Sequence, residues 1–102
     1  MVQEIKKIFK KEFGFVPLKK DIRYEFDEHQ SFFDIWCESD LFKKNKEKAE
    51  IESVLTGYGF SIRVVSTSTN IITQIKYTTV AFYVNEQLYF RNKKLKKWLK
   101  AN

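Results

Sequence analysis

Between residues 58 and 91 apolar and polar side chains alternate with a period of two, and this stretch sets what the rest of the chain must pack against. A period of two signals extended backbone, because successive side chains of a strand point to opposite faces. It predicts strands over residues 60–65, 71–84 and 88–91. A polar Ser66-Thr67-Ser68-Thr69-Asn70 loop and an Asn85-Glu86-Gln87 turn divide them. In the long segment Ile71, Thr73, Ile75 and Tyr77 share one face, and then Val80, Phe82 and Val84 carry the apolar face instead. One extra residue reverses a strand's alternation, so the change of phase predicts a bulge or bend near Thr78 and Thr79, or a division into two strands. Leu88-Tyr89-Phe90 is expected to pair back as the last strand of a meander.

A second extended region precedes it. Ile22, Tyr24 and Phe26 alternate with Arg23, Glu25 and Asp27, the tetrapeptide Asp27-Glu28-His29-Gln30 reads as a turn, and residues 31–38 return. Phe33, Ile35 and Cys37 lie on one face of the return strand; Phe32 and Trp36 share the other with Asp34 and Glu38. Trp36 is expected to pack under a helix or loop, with a binding contact as the alternative.

Three segments have helical spacing. Ile5, Ile8, Phe9 and Phe13 predict a helix over 3–13, closed by Gly14 as a left-handed cap and by Pro17 beyond it. Ile51, Val54, Leu55 and Tyr58 predict one near 44–56, with Asp40 or Asn45 as N-cap and Gly57 as C-cap. Lys43-Lys44-Asn45-Lys46 sits badly at that helix's start, where the dipole disfavours cations. Either these lysines mark a functional surface or the helix begins later, at Asn45, and they occupy a loop. Leu95, Trp98 and Leu99 predict a cationic helix over 92–101. A chain of 102 residues with 43% hydrophobic side chains can build one core and not two. The expectation is a single α+β domain, 1–102: a mainly antiparallel sheet (hairpin 21–38 plus meander 60–91) packed with helices near 3–13, 44–56 and 92–101.

Charge is segregated along the chain. Residues 1–20 carry six lysines against Glu4 and Glu12, residues 21–52 carry five basic groups against ten acidic ones, and residues 53–102 carry eight basic groups against Glu86. Such separation either steers a partner or cancels locally when the segments pack together. No run of residues is long and apolar enough to span a bilayer, and the lysine-rich start lacks the apolar core of a signal peptide, so a cytoplasmic protein without membrane insertion is expected.

Motifs for chemistry are absent. One histidine, His29, and one cysteine, Cys37, cannot build a zinc site, and a Cys37–His29 nucleophilic pair would need a thiol that the apolar face buries. Carboxylate pairs such as Asp27 with Asp34 or Glu25 with Glu38 have no accompanying base or phosphate loop. The protein is therefore expected to be a non-enzymatic binder without metal or cofactor. Its predicted contacts with nucleic acid or a nucleoprotein are Lys6, Lys7, Lys10, Lys11, Lys93, Lys94, Lys96, Lys97 and Lys100, with Tyr83 as an aromatic platform. The alternative is a small protein-binding module, of the kind phages and mobile elements encode to inhibit or regulate a host protein. It would dock a basic surface through Asp27, Asp34, Trp36 and Glu38. A membrane surface is the weakest target, since the stripe of helix 92–101 is only three residues wide.

Overall fold

The computed structural model describes residues 1–28 and 30–101, the last two by backbone alone. The order is helix α1 (Val2–Phe13), strands β1 (Ile22–Phe26) and β2 (Ser31–Glu38), helix α2 (Lys48–Gly57), strands β3 (Ser61–Thr69) and β4 (Lys76–Val84), and helix α3 (Glu86–Ala101). The strands form one antiparallel sheet in the order β1-β2-β4-β3. The α+β class with an antiparallel sheet is as the sequence predicts.

The sheet buries one face only. Phe33, Ile35 and Cys37 of β2, Val80, Phe82 and Val84 of β4, and Val65 of β3 join Ile5, Ile8, Phe9 and Phe13 of α1 and Ile51 and Leu55 of α2 in the core. A row of stacked rings crosses it, from Tyr58 to Phe60 to Phe82 to Phe33, with centroids 5.3–5.9 Å apart. Such contacts add to the area term that holds helices to sheet. A second ring cluster, Phe9, Phe13, Phe15 and Phe42, fastens the C-terminal end of α1 to the segment after β2.

The α1 stripe and its Gly14 cap are as predicted: Gly14 has φ +83° and its N–H reaches the carbonyls of Phe9 and Lys10. A Cβ built there would lie 2.8 Å from Lys43 Cβ. Gly14→Ala is therefore expected to cost at least about 1–2 kcal/mol from the left-handed conformation alone. Urea denaturation measures it; an unchanged midpoint would show that α1 ends without the cap.

Other expectations need correction. Residues 88–91 are not a strand, and Asn85-Glu86-Gln87 is not a hairpin turn: both lie at the start of α3, so the sheet has no meander over 60–91. Asn85 caps the helix, its Oδ1 accepting the Leu88 N–H at 3.0 Å and its carbonyl the Tyr89 N–H at 2.9 Å. The polar run Ser66–Thr69 is strand, as the continuation of β3, whereas residues 71–75 form the connection to β4. The change of phase in the sequence is that boundary. β4 pairs with β2 without interruption and turns Thr78, Val80, Phe82 and Val84 inward throughout. The bulge lies instead in β3, between Ile62 and Val64, where Arg63 is the extra residue. A bulge and a charge on an edge strand both discourage pairing with another chain.

Helix α2 begins at Lys48, later than the predicted 44, with Glu47 as N-cap in place of Asp40 or Asn45. A capping box with Glu50, in which the Glu47 N–H donates to Glu50 Oε1 at 3.3 Å, fixes that start. Gly57 is the last helical residue; Tyr58 caps, and Gly59 takes the left-handed conformation at φ +86°. Among the described residues no helix is long and apolar enough to cross a membrane.

Candidate interaction surfaces

Covering one sheet face with helices leaves the molecule with two unlike sides. Most of the lysines lie on the helices and on the loop before α2. The open sheet face carries aromatic rings and carboxylates.

On the helix side Glu4 joins the two termini. Its carboxylate accepts hydrogen bonds from Lys93 Nζ at 2.8 Å and Tyr89 Oη at 2.9 Å, and Lys7 Nζ lies 4.0 Å away. Tyr89 and Lys93 are four residues apart, so one face of α3 meets α1 here. The Lys93 hydrogen bond, with that of Tyr89 and the charges of Lys93 and Lys7, holds the Glu4 carboxyl below its ordinary range against the opposing effect of burial. Burial and the Glu4 bond push the Tyr89 hydroxyl up. A carboxylate with a depressed pKa stabilises the folded state above its unfolded value near pH 4.3, and that contribution is lost as pH falls through the folded value. Acidification below about pH 4 is thus expected to loosen α3 from α1. Ring-proton NMR of Tyr89 would follow it, and the acid step should vanish in Glu4→Gln; superimposable titrations of the two proteins would refute the assignment.

The far end of α1 holds a cluster that sequence reasoning placed only as an anomaly. The Lys43 N–H donates to the Phe13 carbonyl at 2.8 Å, and Asn45, at φ +51°, donates from Nδ2 to the Glu12 carbonyl at 2.9 Å. These two bonds pin the Lys43-Lys44-Asn45-Lys46 loop to the last turn of α1, which carries Lys10 and Lys11. The orphan carbonyls of a helix C-terminus attract cations, so the loop's charge suits its new position where it did not suit the start of α2. All five lysines are exposed, and among the described residues no carboxylate forms an ion pair with them.

The predicted lysines divide accordingly. Lys7, Lys10 and Lys11 are exposed on α1 and Lys6 half-buried; Lys94, Lys96 and Lys97 are exposed on α3; Lys93 is engaged with Glu4; the side chain of Lys100 lies outside the described residues. Leu95, Trp98 and Leu99, the predicted apolar stripe of α3, are exposed, as is Leu88, because the helix turns Tyr89 and Lys93 to the body.

Tyr83 is not among those lysines. It points away from Val80, Phe82 and Val84, as expected, and therefore stands on the open sheet face beside Phe32, with ring centroids 5.2 Å apart. Arg63, from the β3 bulge, lies over the other ring of this pair: its guanidinium carbon is 5.5 Å from the Phe32 centroid. Along β2 the outward row reads Phe32, Asp34, Trp36, Glu38. Trp36 does not pack under a helix or loop, contrary to expectation: it is 50% exposed and stacks on Tyr77 of β4 at 4.3 Å with rings 10° apart. The register sets Arg23 opposite Asp34 and Glu25 opposite Phe32, so Glu25 and Glu38 do not meet. Arg23 instead bonds Glu25, at 2.8 Å. A concavity of about 500 Å³ opens at the Phe32 end, bounded by Arg23, Asp34, Arg63 and Tyr83.

Asp27 borders that concavity but not Trp36. Its carboxylate accepts the Glu28 N–H at 2.7 Å in the β1–β2 turn, at the opposite end of β2 from Trp36 and Glu38. The predicted protein-binding set thus splits, with Asp34, Trp36 and Glu38 together and Asp27 apart. Phe32, Tyr77 and Arg63 are members that sequence reasoning did not select; the alternation of β2 and β4 was the signal available for the first two. Burial pushes the Cys37 thiol up to about 12, with the Asp21 charge adding to it, so the thiolate is scarce near neutral pH. His29 lies outside the described residues.

Comparison of the chain with protein-family models, with curated proteins and with solved structures finds no match.

Proposed function

We propose that the protein is a non-enzymatic binder of nucleic acid that contacts the phosphate backbone with its helix side. The observation that carries this reading is the docking of the 43–46 loop on α1, which gathers Lys10, Lys11, Lys43, Lys44 and Lys46 at one end of the helix layer without a carboxylate partner among the described residues. Phosphate binding needs cations that are close together, exposed and not already neutralised, because affinity comes largely from releasing the counterions of the nucleic acid. Exposed Lys7 extends the cluster along α1 toward Glu4, where α3 meets the helix, and the formal charge of +6 favours encounter with a polyanion.

The aromatic half of the earlier expectation does not join this site, since Tyr83 stands on the sheet face. Phosphate contacts without base stacking give binding that is tolerant of sequence. Fluorescence anisotropy with labelled single-stranded and duplex oligonucleotides at two salt concentrations tests the proposal. Micromolar affinity or better, falling steeply with salt and varying little with sequence, is the expected result. An absence of binding at low salt would overturn it.

A further inference from the structure

We propose that the outward row of β2 is a docking site for an arginine of a basic protein partner, its guanidinium laid on the Trp36–Tyr77 stack between Asp34 and Glu38. On a strand, side chains of one face recur at roughly 7 Å, so both carboxylates stand one such step from the indole. A cation on an aromatic face gains from the ring quadrupole, most on tryptophan, and a planar guanidinium adds stacking and a bidentate hydrogen bond to a neighbouring carboxylate. The face itself illustrates the chemistry. At the other end of the same row the position over Phe32 is taken by the chain's own Arg63. At the Trp36 end no cation among the described residues takes the equivalent place, and among those residues Asp34 and Glu38 form no ion pair.

Charge decides the occupant. Arg23 and Glu25 satisfy each other and Arg63 lies over Phe32, which leaves Asp34 and Glu38 as the charges flanking the indole along β2 and disfavours phosphate there. A symmetric pairing with a second copy would set these carboxylates against themselves. A separate protein with an exposed arginine fits both the rings and the charge. The stack is preformed, so docking costs little ordering of the site.

Trp98→Phe leaves Trp36 as the sole indole, and its emission is then titrated with a short arginine–glycine peptide, the lysine analogue and the glutamate analogue. A saturable change with the arginine peptide, weaker with lysine and absent with glutamate, is expected. Asp34→Asn with Glu38→Gln should weaken arginine binding by about five- to tenfold. Both carboxylates lie on the open sheet face, so circular dichroism of the double variant should match the parent. No saturable change at millimolar peptide, or equal binding by the double variant, would overturn the proposal. So would a Trp36 response to an oligonucleotide in place of the peptide, which would make the face a nucleic-acid platform.

Discussion

Phe82→Ala is expected to lower the free energy of unfolding by about 3–5 kcal/mol, the range for deleting a buried aromatic ring. Phe82 is fully buried and sits between Phe33 and Phe60 in the stacked row, so its loss removes two ring contacts and leaves a cavity bounded by both sheet and helices. Chains of this length have roughly 5–15 kcal/mol in all, which puts the variant near the edge of folding. Urea denaturation should show a midpoint lower by about 2 M at a typical slope for such proteins. The adjacent Tyr83→Ala is the control. Tyr83 lies on the opposite face and touches Phe32 near solvent, so about 1 kcal/mol is expected. Similar losses for the two neighbours would contradict the one-sided core.

The other large effect concerns binding. Reversing Lys10, Lys11, Lys43 and Lys44 to glutamate is expected to reduce oligonucleotide affinity by about three decades at 0.1 M salt, if each lysine neutralises one phosphate on a duplex. The slope of log affinity against log salt should fall by about 3.6, at roughly 0.9 per contact. These side chains are exposed and their backbone bonds, which pin the loop, survive the change. Reversing Lys94, Lys96 and Lys97 separates the two ends of the helix layer: a larger loss there would move the site to α3. Lys93 is left out of that variant because Glu4 would then face a carboxylate. Unchanged affinity in both variants would mean that the lysines only solvate the helix side.

Much of this architecture is legible in the sequence, and the misreadings have physical causes. The stripe of α1, the hairpin of β1 and β2 and the inward row Val80, Phe82, Val84 follow from periodicity, since their side chains face either core or water with no competing demand. Leu88-Tyr89-Phe90 reads as strand because Tyr and Phe favour extended backbone, but the Asn85 cap and the two contacts of Tyr89 and Lys93 with Glu4 make the segment helical. Local preference was overruled by partners 85 and 89 residues away. Ile71 reads as one of the residues on a strand face and is 88% exposed, with Ile72 beside it 93% exposed, in a turn where the Asn70 side chain accepts both the Ile72 and the Thr73 N–H. A short apolar run cannot signal that its face has nothing to pack on.

The candidate sites divide in the same way. Sequence alone determined which residues are charged, which segments they ride on, and that β2 alternates ring and carboxylate on one side; these depend only on residue identity and the period of the backbone. Tertiary structure decided which sides stay open. Helices cover the Phe33 face because Phe33, Ile35 and Cys37 of β2 and Val80, Phe82 and Val84 of β4 make the middle of that face apolar, and with α1 and α2 committed there, Trp36 and Tyr77 are left to stack on each other on the open face. It also decided that the Lys43-to-Lys46 loop belongs with Lys10 and Lys11, because a hydrogen bond from Asn45 to Glu12 spans 33 positions of chain that no local pattern can foresee.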